Sequence, residues 1–180
     1  MDIIERLKKK DETALMEVME EYGSYLVRTI FLMVKDRQLA EEIVQDAFVK
    51  AYQKINQLQE KEKLKSWLMT IAINLCRSRL RRKQLKLLTI DESDGQWMDE
   101  REQTPEQHVL ILSKFENLTA AIMTLEYKYR EVVTLHYFNE YSITEISRMT
   151  KTKENTVKSR LARARKQLYG LLVEEEVWDG

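Results

Sequence analysis

Proline and glycine are scarce in this 180-residue chain, with one Pro and four Gly. So few turn formers argue against an all-β sandwich or barrel, whose many tight turns draw on both residues. The scarcity also leaves no phosphate-cradling loop, since neither a GxxxxGK nor a GxGxxG run occurs. Cysteine is reduced to Cys76 alone, which excludes an intrachain disulfide framework and a cysteine-based zinc site. The two histidines, His108 and His136, stand in no HExxH-type pattern, so a metallohydrolase is not expected and no metal or cofactor is assigned. No apolar run approaches the roughly 20 residues that cross a bilayer. The opening MDIIERLKKK lacks the apolar stretch of a signal peptide. A soluble, cytoplasmic protein without membrane insertion or a catalytic constellation is expected.

Net charge is absent too, with 30 basic residues against 30 acidic ones. That balance conceals three blocks. Residues 1–88 hold 18 Lys/Arg and 13 Asp/Glu; residues 89–107 hold one and seven; residues 108–180 hold 11 and 10. The middle block, TIDESDGQWMDEREQTPEQ, contains the only proline and has no sustained apolar period. Its composition is that of a solvated, flexible linker. The expected architecture is therefore all-α: two small helical domains, 1–88 and 108–180, joined by the acidic linker 89–107. Thr104, Pro105 and Gln107 read as the N-cap, N1 and N3 positions of a helix start.

Two basic clusters sit inside the flanking blocks. NLCRSRLRRKQLKLL (74–88) carries six basic and no acidic residues, and KENTVKSRLARARK (153–166) carries six basic and one acidic. Each keeps an apolar stripe, Leu75, Leu80 and Leu87 in the first and Val157, Leu161, Ala164 and Leu168 in the second. Both read as helices with one face on a core and a basic face in solvent. One such cluster is an ordinary soluble surface as readily as a binding face; two in separate domains of a neutral chain favour an anionic polymer as partner.

Within the first block, LAEEIVQDAFVKAY (39–52) places Leu39, Ile43, Val44, Ala47, Phe48, Ala51 and Tyr52 on one helical face. Glu41, Glu42, Gln45, Asp46, Val49 and Lys50 then face outward, a solvated surface first and a protein-docking surface second. In SWLMTIAINLCRSRL (66–80), Ser66 is the expected N-cap, Trp67, Ile71 and Leu75 the core stripe, and Cys76 a small packed residue without a redox role. The intervening INQLQEKEKLK (55–65) is a polar loop too short for its own core.

In the second block, YKYREVVTLHYFNE (127–140) is predicted as one amphipathic helix with Val132, Val133, Leu135, His136 and Phe138 at or near the core, His136 being a packed residue rather than a ligand. Ser142 and Glu145 then form a capping box that opens a short helix ending near Thr150. After a turn at Lys151-Thr152, with Thr152 as N-cap, a second helix carries Lys153, Glu154, Asn155, Lys158, Ser159 and Arg160 at its N-terminal, outward positions. Ile146, Met149, Val157 and Leu161 supply the packing between the two. This is a helix-turn-helix pattern, in which the N-terminal end of the second helix reaches base edges. A plain helical hairpin has similar spacing, with less reason for a basic second helix.

At this point the chain resembles the extracytoplasmic-function (ECF) group of bacterial sigma-70-family sigma factors. DRQLAEEIVQDAFVKAY (36–52) followed by LKSWLMTIAINLCRSRLRRK (64–83) is similar to sigma region 2, and YKYREVVTLHYFNEYSITEISRMTKTKENTVKSRLARARKQL (127–168) is similar to sigma region 4. The resemblance implies an alternative, stress-responsive sigma factor that binds core RNA polymerase and directs transcription from promoters with −35 and −10 elements. It implies docking on the clamp helices of the largest polymerase subunit through Glu41, Glu42, Gln45, Asp46 and Lys50, with further contact at the flap region. It implies capture of the single-stranded −10 element by Asn56, Gln57, Leu58, Lys63, Lys65, Trp67, Asn74, Arg77, Arg79, Arg81 and Arg82. It implies reading of the duplex −35 element by Lys153, Glu154, Asn155, Thr156, Lys158, Ser159, Arg160 and Arg163. An anti-sigma factor, often membrane-bound in this family, is implied as a further partner.

The chain departs from the family pattern in four places. Lys151 stands where the helix-turn-helix turn usually has Gly, so a positive φ there would be strained. Thr152 replaces a frequent Ile, and Leu58 and Glu60 replace an aromatic and a Gly of the promoter loop. A stand-alone helix-turn-helix regulator is the alternative; it would share the second block but not the first. Trp178, in the EEEVWDG tail, is expected to be a disordered end or a small packing anchor.

Overall fold

A computed structural model describes residues 2–90 and 114–178. The expected linker over 89–107 overlaps the described residues only at Thr89 and Ile90, which end α4; the rest of it, with its Thr104 cap and Pro105, lies outside them. Among those described, regular structure is helical throughout. The first half comprises α1 (Ile3–Lys8), α2 (Glu12–Val34), α3 (Arg37–Lys54), two 3₁₀ turns (Ile55–Gln57 and Lys61–Lys63) and α4 (Leu64–Ile90). The second half comprises α5 (Lys114–Thr124), α6 (Tyr127–Val133), α7 (Ile143–Thr150) and α8 (Glu154–Trp178).

Local chemistry sets the helix ends. Asp11 caps α2, its carboxylate accepting from the N–H groups of Thr13 and Ala14, and Asp36 caps α3 by accepting from Leu39 N–H at 3.0 Å. In place of glycine, Lys10, Lys35, Glu140 and Lys151 occupy the left-handed region, with φ between 52° and 63°. Lys35 closes α2 and Lys151 closes α7. The expected strain at Lys151 is thus real: its φ is 52° and ψ 41°, and a side chain there costs about 1–2 kcal/mol relative to glycine. Lys151→Gly is expected to raise stability by about 1 kcal/mol and Tm by about 3 °C, after allowing for the freer unfolded chain. Differential scanning calorimetry checks this; a lower Tm would show that the lysine side chain contributes something its conformation does not.

The α3 pattern comes out as the sequence predicts. Ile43, Val44, Ala47, Phe48 and Ala51 are buried against α2 and α4, while Glu41, Glu42, Gln45, Asp46 and Val49 are exposed. The core stripe of α4 is rotated from the expected one. Leu64, Leu68, Met69, Ala72, Ile73 and Cys76 are buried, whereas Trp67, Ile71 and Leu75 are only half-buried. The cause is that α4 packs on α2 and α3 from one side and on α7 from another, so its buried arc is wider than a single stripe. Ser66 is not the cap either: α4 begins at Leu64, and the Ser66 hydroxyl donates to Lys63 O at 3.1 Å.

The helix expected over 127–140 changes character midway. After Val133 it widens into a π turn over Thr134–Phe138, closed by Asn139 N–H on Thr134 O at 3.2 Å. A π turn inserts one extra residue and rotates the side chains beyond it about the helix axis. Phe138, expected near the core, is accordingly 38% exposed beside an exposed Tyr137. His136 is half-buried, and its Nδ1 donates to Tyr141 O at 2.9 Å. Within the described residues the tail stays helical, since α8 continues to Trp178.

The two halves touch. Their buried apolar residues form one continuous core, with α2 against α6 and the π turn, and α4 against α7. Arg130 of α6 is buried and donates through Nε and Nη2 to Met33 O, at 3.2 and 2.7 Å, and through Nη1 to Leu125 O at 2.5 Å. A cation on the otherwise unpaired carbonyls at the end of α2 also suits the helix dipole. Asn139 donates to Thr29 at 2.8 Å, and the Tyr25 hydroxyl donates to that of Tyr141 at 3.3 Å.

Candidate nucleic-acid interface

The helix-turn-helix is formed by α7 and α8. The Ser142/Glu145 capping box is complete, with Glu145 N–H on the Ser142 hydroxyl at 3.1 Å and Ser142 N–H on the Glu145 carboxylate at 2.7 Å. Ile146, Met149, Val157 and Leu161 are buried between the two helices, as their spacing predicts. Thr152 does not cap α8; its hydroxyl turns back to Thr150 O at 3.3 Å, and Lys153 O accepts the first helical N–H from Val157. With Val157, Leu161, Ala164 and Leu168 on the core, α8 presents Lys153, Glu154, Asn155, Lys158, Ser159 and Arg163 to solvent. Two expected readers are less available. Thr156 is half-buried and its carbonyl accepts from Ser159 Oγ at 3.0 Å, while Arg160 is half-buried with its charge felt by Glu131.

A second surface lies on α3. Glu41, Glu42, Gln45 and Asp46 are exposed and Lys50 half-exposed, all on one side of the helix. Val49 stands among them at 56% exposure. A single displayed apolar side chain is ordinary on a protein surface, so Val49 adds apolar area to the face without by itself marking it.

The residues expected at the −10 element fall into four groups. Asn56, Gln57, Lys63, Lys65, Arg81 and Arg82 are exposed, with Lys65 over the Tyr25 ring at 4.1 Å and Lys63 on Glu60 at 2.7 Å. Trp67 and Asn74 are half-buried on α4. Leu58 is only 4% exposed, because it and Ile55 anchor the loop to the core; it is turned away from any strand crossing the loop. Arg77 and Arg79 already hold protein carboxylates. Arg79 pairs with Asp46 at 2.5 Å and lies 4.0 Å from Glu42, so it joins the −10 helix to the α3 face. Arg77 is 3.2 Å from Glu131 and donates to Thr150 O.

Glu131, Tyr127 and Cys76 complete a polar cluster between the halves that sequence reading did not find. Tyr127 donates to Glu131 Oε1 at 2.9 Å, and Cys76 Sγ lies 3.7 Å from the Tyr127 hydroxyl. Burial pushes the Cys76 thiol up to about 12, partly relieved by Tyr127, which makes it an inert thiol at neutral pH. Burial also raises the Glu131 carboxyl above its ordinary range, against the opposing pull of Arg77 and the Tyr127 hydrogen bond. Among the described residues, no group of three or more His, Cys, Asp or Glu is placed to hold a metal, and no helix is long and apolar enough to cross a membrane.

Fold and surfaces together define a helical DNA-reading protein of two modules, one carrying a helix-turn-helix. Residues 18–86 match the sigma-70 region 2 family model, and residues 115–168 match the sigma-70 region 4 model. The ECF RNA polymerase sigma factor SigW of Bacillus subtilis is 30% identical over 172 residues, covering 92% of each chain. SigM of the same organism is 32% identical over 155 residues, covering 86% of this chain and 93% of SigM. Among solved structures, the sigma factor RpoE of Bartonella quintana, in complex with the anti-sigma factor NepR, aligns with a TM-score of 0.71 at 25% identity, covering 87% of this chain and 95% of RpoE. The chain belongs to the ECF RNA polymerase sigma factors of the sigma-70 family.

Proposed function

We propose that this sigma factor divides promoter recognition between its two halves, with domain limits at 1–88 and 108–180 and the acidic segment 89–107 as linker. The α3 face, Glu41, Glu42, Gln45, Asp46 and Lys50 with Val49, docks on the clamp helices of core RNA polymerase, and the second half contacts the flap region. The loop residues Asn56, Gln57, Lys63 and Lys65, with Trp67, Asn74, Arg77, Arg79, Arg81 and Arg82 of α4, hold the single-stranded −10 element. Lys153, Glu154, Asn155, Lys158, Ser159 and Arg163 of α8 read the duplex −35 element, with Thr156 and Arg160 at its edge. The protein supplies sequence reading and leaves catalysis to the polymerase. An anti-sigma factor controls it in the cytoplasm; the likeness to RpoE, solved with NepR, supports that control.

The observation that carries this reading is the presence in one chain of a cationic, outward recognition helix and an acidic α3 face with an exposed apolar residue. Lysines position the protein on phosphates, and short polar side chains such as Asn155 read base edges. A stand-alone regulator would need α7 and α8 but has no use for residues 18–86, which match region 2. The test compares Asn155→Ala and Lys158→Ala in run-off transcription. Asn155→Ala is expected to lose about 1–3 kcal/mol of discrimination at the −35 element. Lys158→Ala is expected to weaken all −35 sequences alike, and both variants to keep core polymerase affinity. Equal loss of polymerase binding would remove α8 from the −35 contact.

A further inference from the structure

The shortest helix of the first half is held more firmly than its length explains. α1 has six residues, too few to persist without outside contacts. Ile4 and Leu7 bury its apolar side. Arg6 ties it to the start of α2, donating through Nε to the Asp11 carboxylate at 2.8 Å, through Nη2 to the Thr13 hydroxyl at 2.8 Å and through Nη1 to Glu17 at 3.0 Å. The turn that ends α1 is closed by Lys10 N–H on Leu7 O at 3.0 Å and Asp11 N–H on Arg6 O at 3.1 Å, a Schellman arrangement whose left-handed position favours glycine. Lys10 occupies that position, at φ 63°. A side chain kept in so disfavoured a conformation calls for a use.

Its ammonium supplies one. Lys10 Nζ donates to Tyr52 O at 2.6 Å, in the last turn of α3, and lies 4.5 Å from the centre of the Tyr52 ring. Carbonyls at a helix end lack helical partners, and a cation there suits the helix dipole. Just beyond begins the loop read above as the −10 contact, and α1 packs on its first 3₁₀ turn, Ile55–Gln57. At the other end of α1, Asp2 stands at the N-cap position yet makes no capping hydrogen bond; its carboxylate pairs instead with Lys61, at the start of the second 3₁₀ turn, at 3.0 Å. Within the loop the backbone hydrogen bonds are local, Leu58 N–H on Ile55 O and Lys63 N–H on Glu60 O. Ile55 and Leu58 are buried, while Asn56, Gln57, Gln59 and Glu60 are exposed. Exposed ties such as Asp2–Lys61 add little to stability. They can still fix where a loop sits.

We propose that α1 is the positioning element of the −10 loop: Arg6 fixes the helix to α2, and Asp2 and Lys10 hold residues 52–61 in the shape that receives the single strand. Asp2, Arg6 and Lys10 are positioning residues, acting through the loop rather than on DNA. A loop ordered in advance does not lose that freedom again on binding, so the same contacts give a higher affinity for the strand. Lys10 therefore has two opposed effects, backbone strain against folding and loop order in favour of capture. The inference rests on the assignment of Asn56, Gln57 and Lys63 to the −10 element made above.

The test labels the full chain with a fluorophore at Gln59→Cys, an exposed loop position, Cys76 being buried and unreactive. Time-resolved anisotropy reads the motion of the loop. Run-off transcription by unlabelled chain with core polymerase, at subsaturating concentrations of a promoter the unaltered chain uses, reads −10 capture. In Asp2→Ala/Lys10→Met the label is expected to move more freely and transcription to fall about fivefold, the scale of ordering one or two side chains anew on binding. Melting temperature and affinity for core polymerase should stay as they are. Lys10→Arg, which keeps a donor for Tyr52 O and a cation over its ring, should retain both loop order and transcription. Unchanged label motion in the double variant would overturn α1 as the positioning element. A freer loop with undiminished transcription would instead overturn the −10 assignment of the loop, and with it the purpose of the contact. Should the double variant fail to fold, Lys10→Gly, which relaxes the backbone while removing the ammonium, carries the test alone: the label must move more freely at an unchanged or raised melting temperature, and unchanged motion refutes the proposal.

Discussion

Asp46→Lys is expected to lower affinity for core RNA polymerase by about 3 kcal/mol, about 100-fold, while leaving the fold in place. The side chain sits on the exposed face of α3, where its only ion-pair partner in the chain among the described residues is Arg79. Losing an exposed pair of that kind changes stability by about 0–1 kcal/mol. Reversing the charge inside a docked interface is different in kind, since it places like charges together where water has been expelled. Val49→Asp should act in the same direction with no effect on the core, because the valine is displayed rather than packed. Native gel shift or calorimetry with purified core polymerase measures both, beside a melting curve for each variant. Unchanged affinity in Asp46→Lys would take α3 out of the docking surface.

The other large effect is expected from Leu161→Ala. Leu161 is 1% exposed and joins α8 to α7 together with Ile146, Met149 and Val157. Truncating a buried leucine costs about 2–5 kcal/mol, through lost transfer energy and the cavity left behind. That is a large share of the roughly 5–15 kcal/mol that holds a domain folded. The orientation of α8 on α7 depends on that packing, so −35-dependent transcription should fall by more than tenfold at 37 °C. Core docking, carried by α3, should remain. Loss of polymerase binding in step with transcription would mean that the second half supports docking as strongly as the first.

Where local rules decide, the structure follows the sequence. The α3 periodicity, the Ser142/Glu145 capping box and the four residues packing α7 on α8 were all legible, because each depends on neighbours within a turn or two. The strain at Lys151 was legible from the family resemblance, which places Gly at that turn, and the left-handed conformation is there. The features that escaped depend on distant partners. The α4 stripe is rotated because α7, more than 50 residues on, covers part of it. Phe138 is exposed because a π turn, which leaves no clear mark in composition, shifts the register. Leu58 reads as a loop residue among polar neighbours and is instead the loop's anchor. The Arg77–Glu131–Tyr127 cluster joins residues about 50 positions apart, and nothing in either segment alone announces the other. Charge blocks located the basic helices but could not say which arginines were already paired.

As an ECF sigma factor, this chain gives promoter specificity to a polymerase that lacks it. Purified chain is combined with bacterial core RNA polymerase and run-off transcription is read across a promoter library. Stoichiometric binding is expected, with new transcripts that share −35 and −10 sequences, lost together with binding in Asp46→Lys and without loss of binding in Leu161→Ala. No association with core, alongside sequence-specific duplex binding by the chain alone, would contradict it.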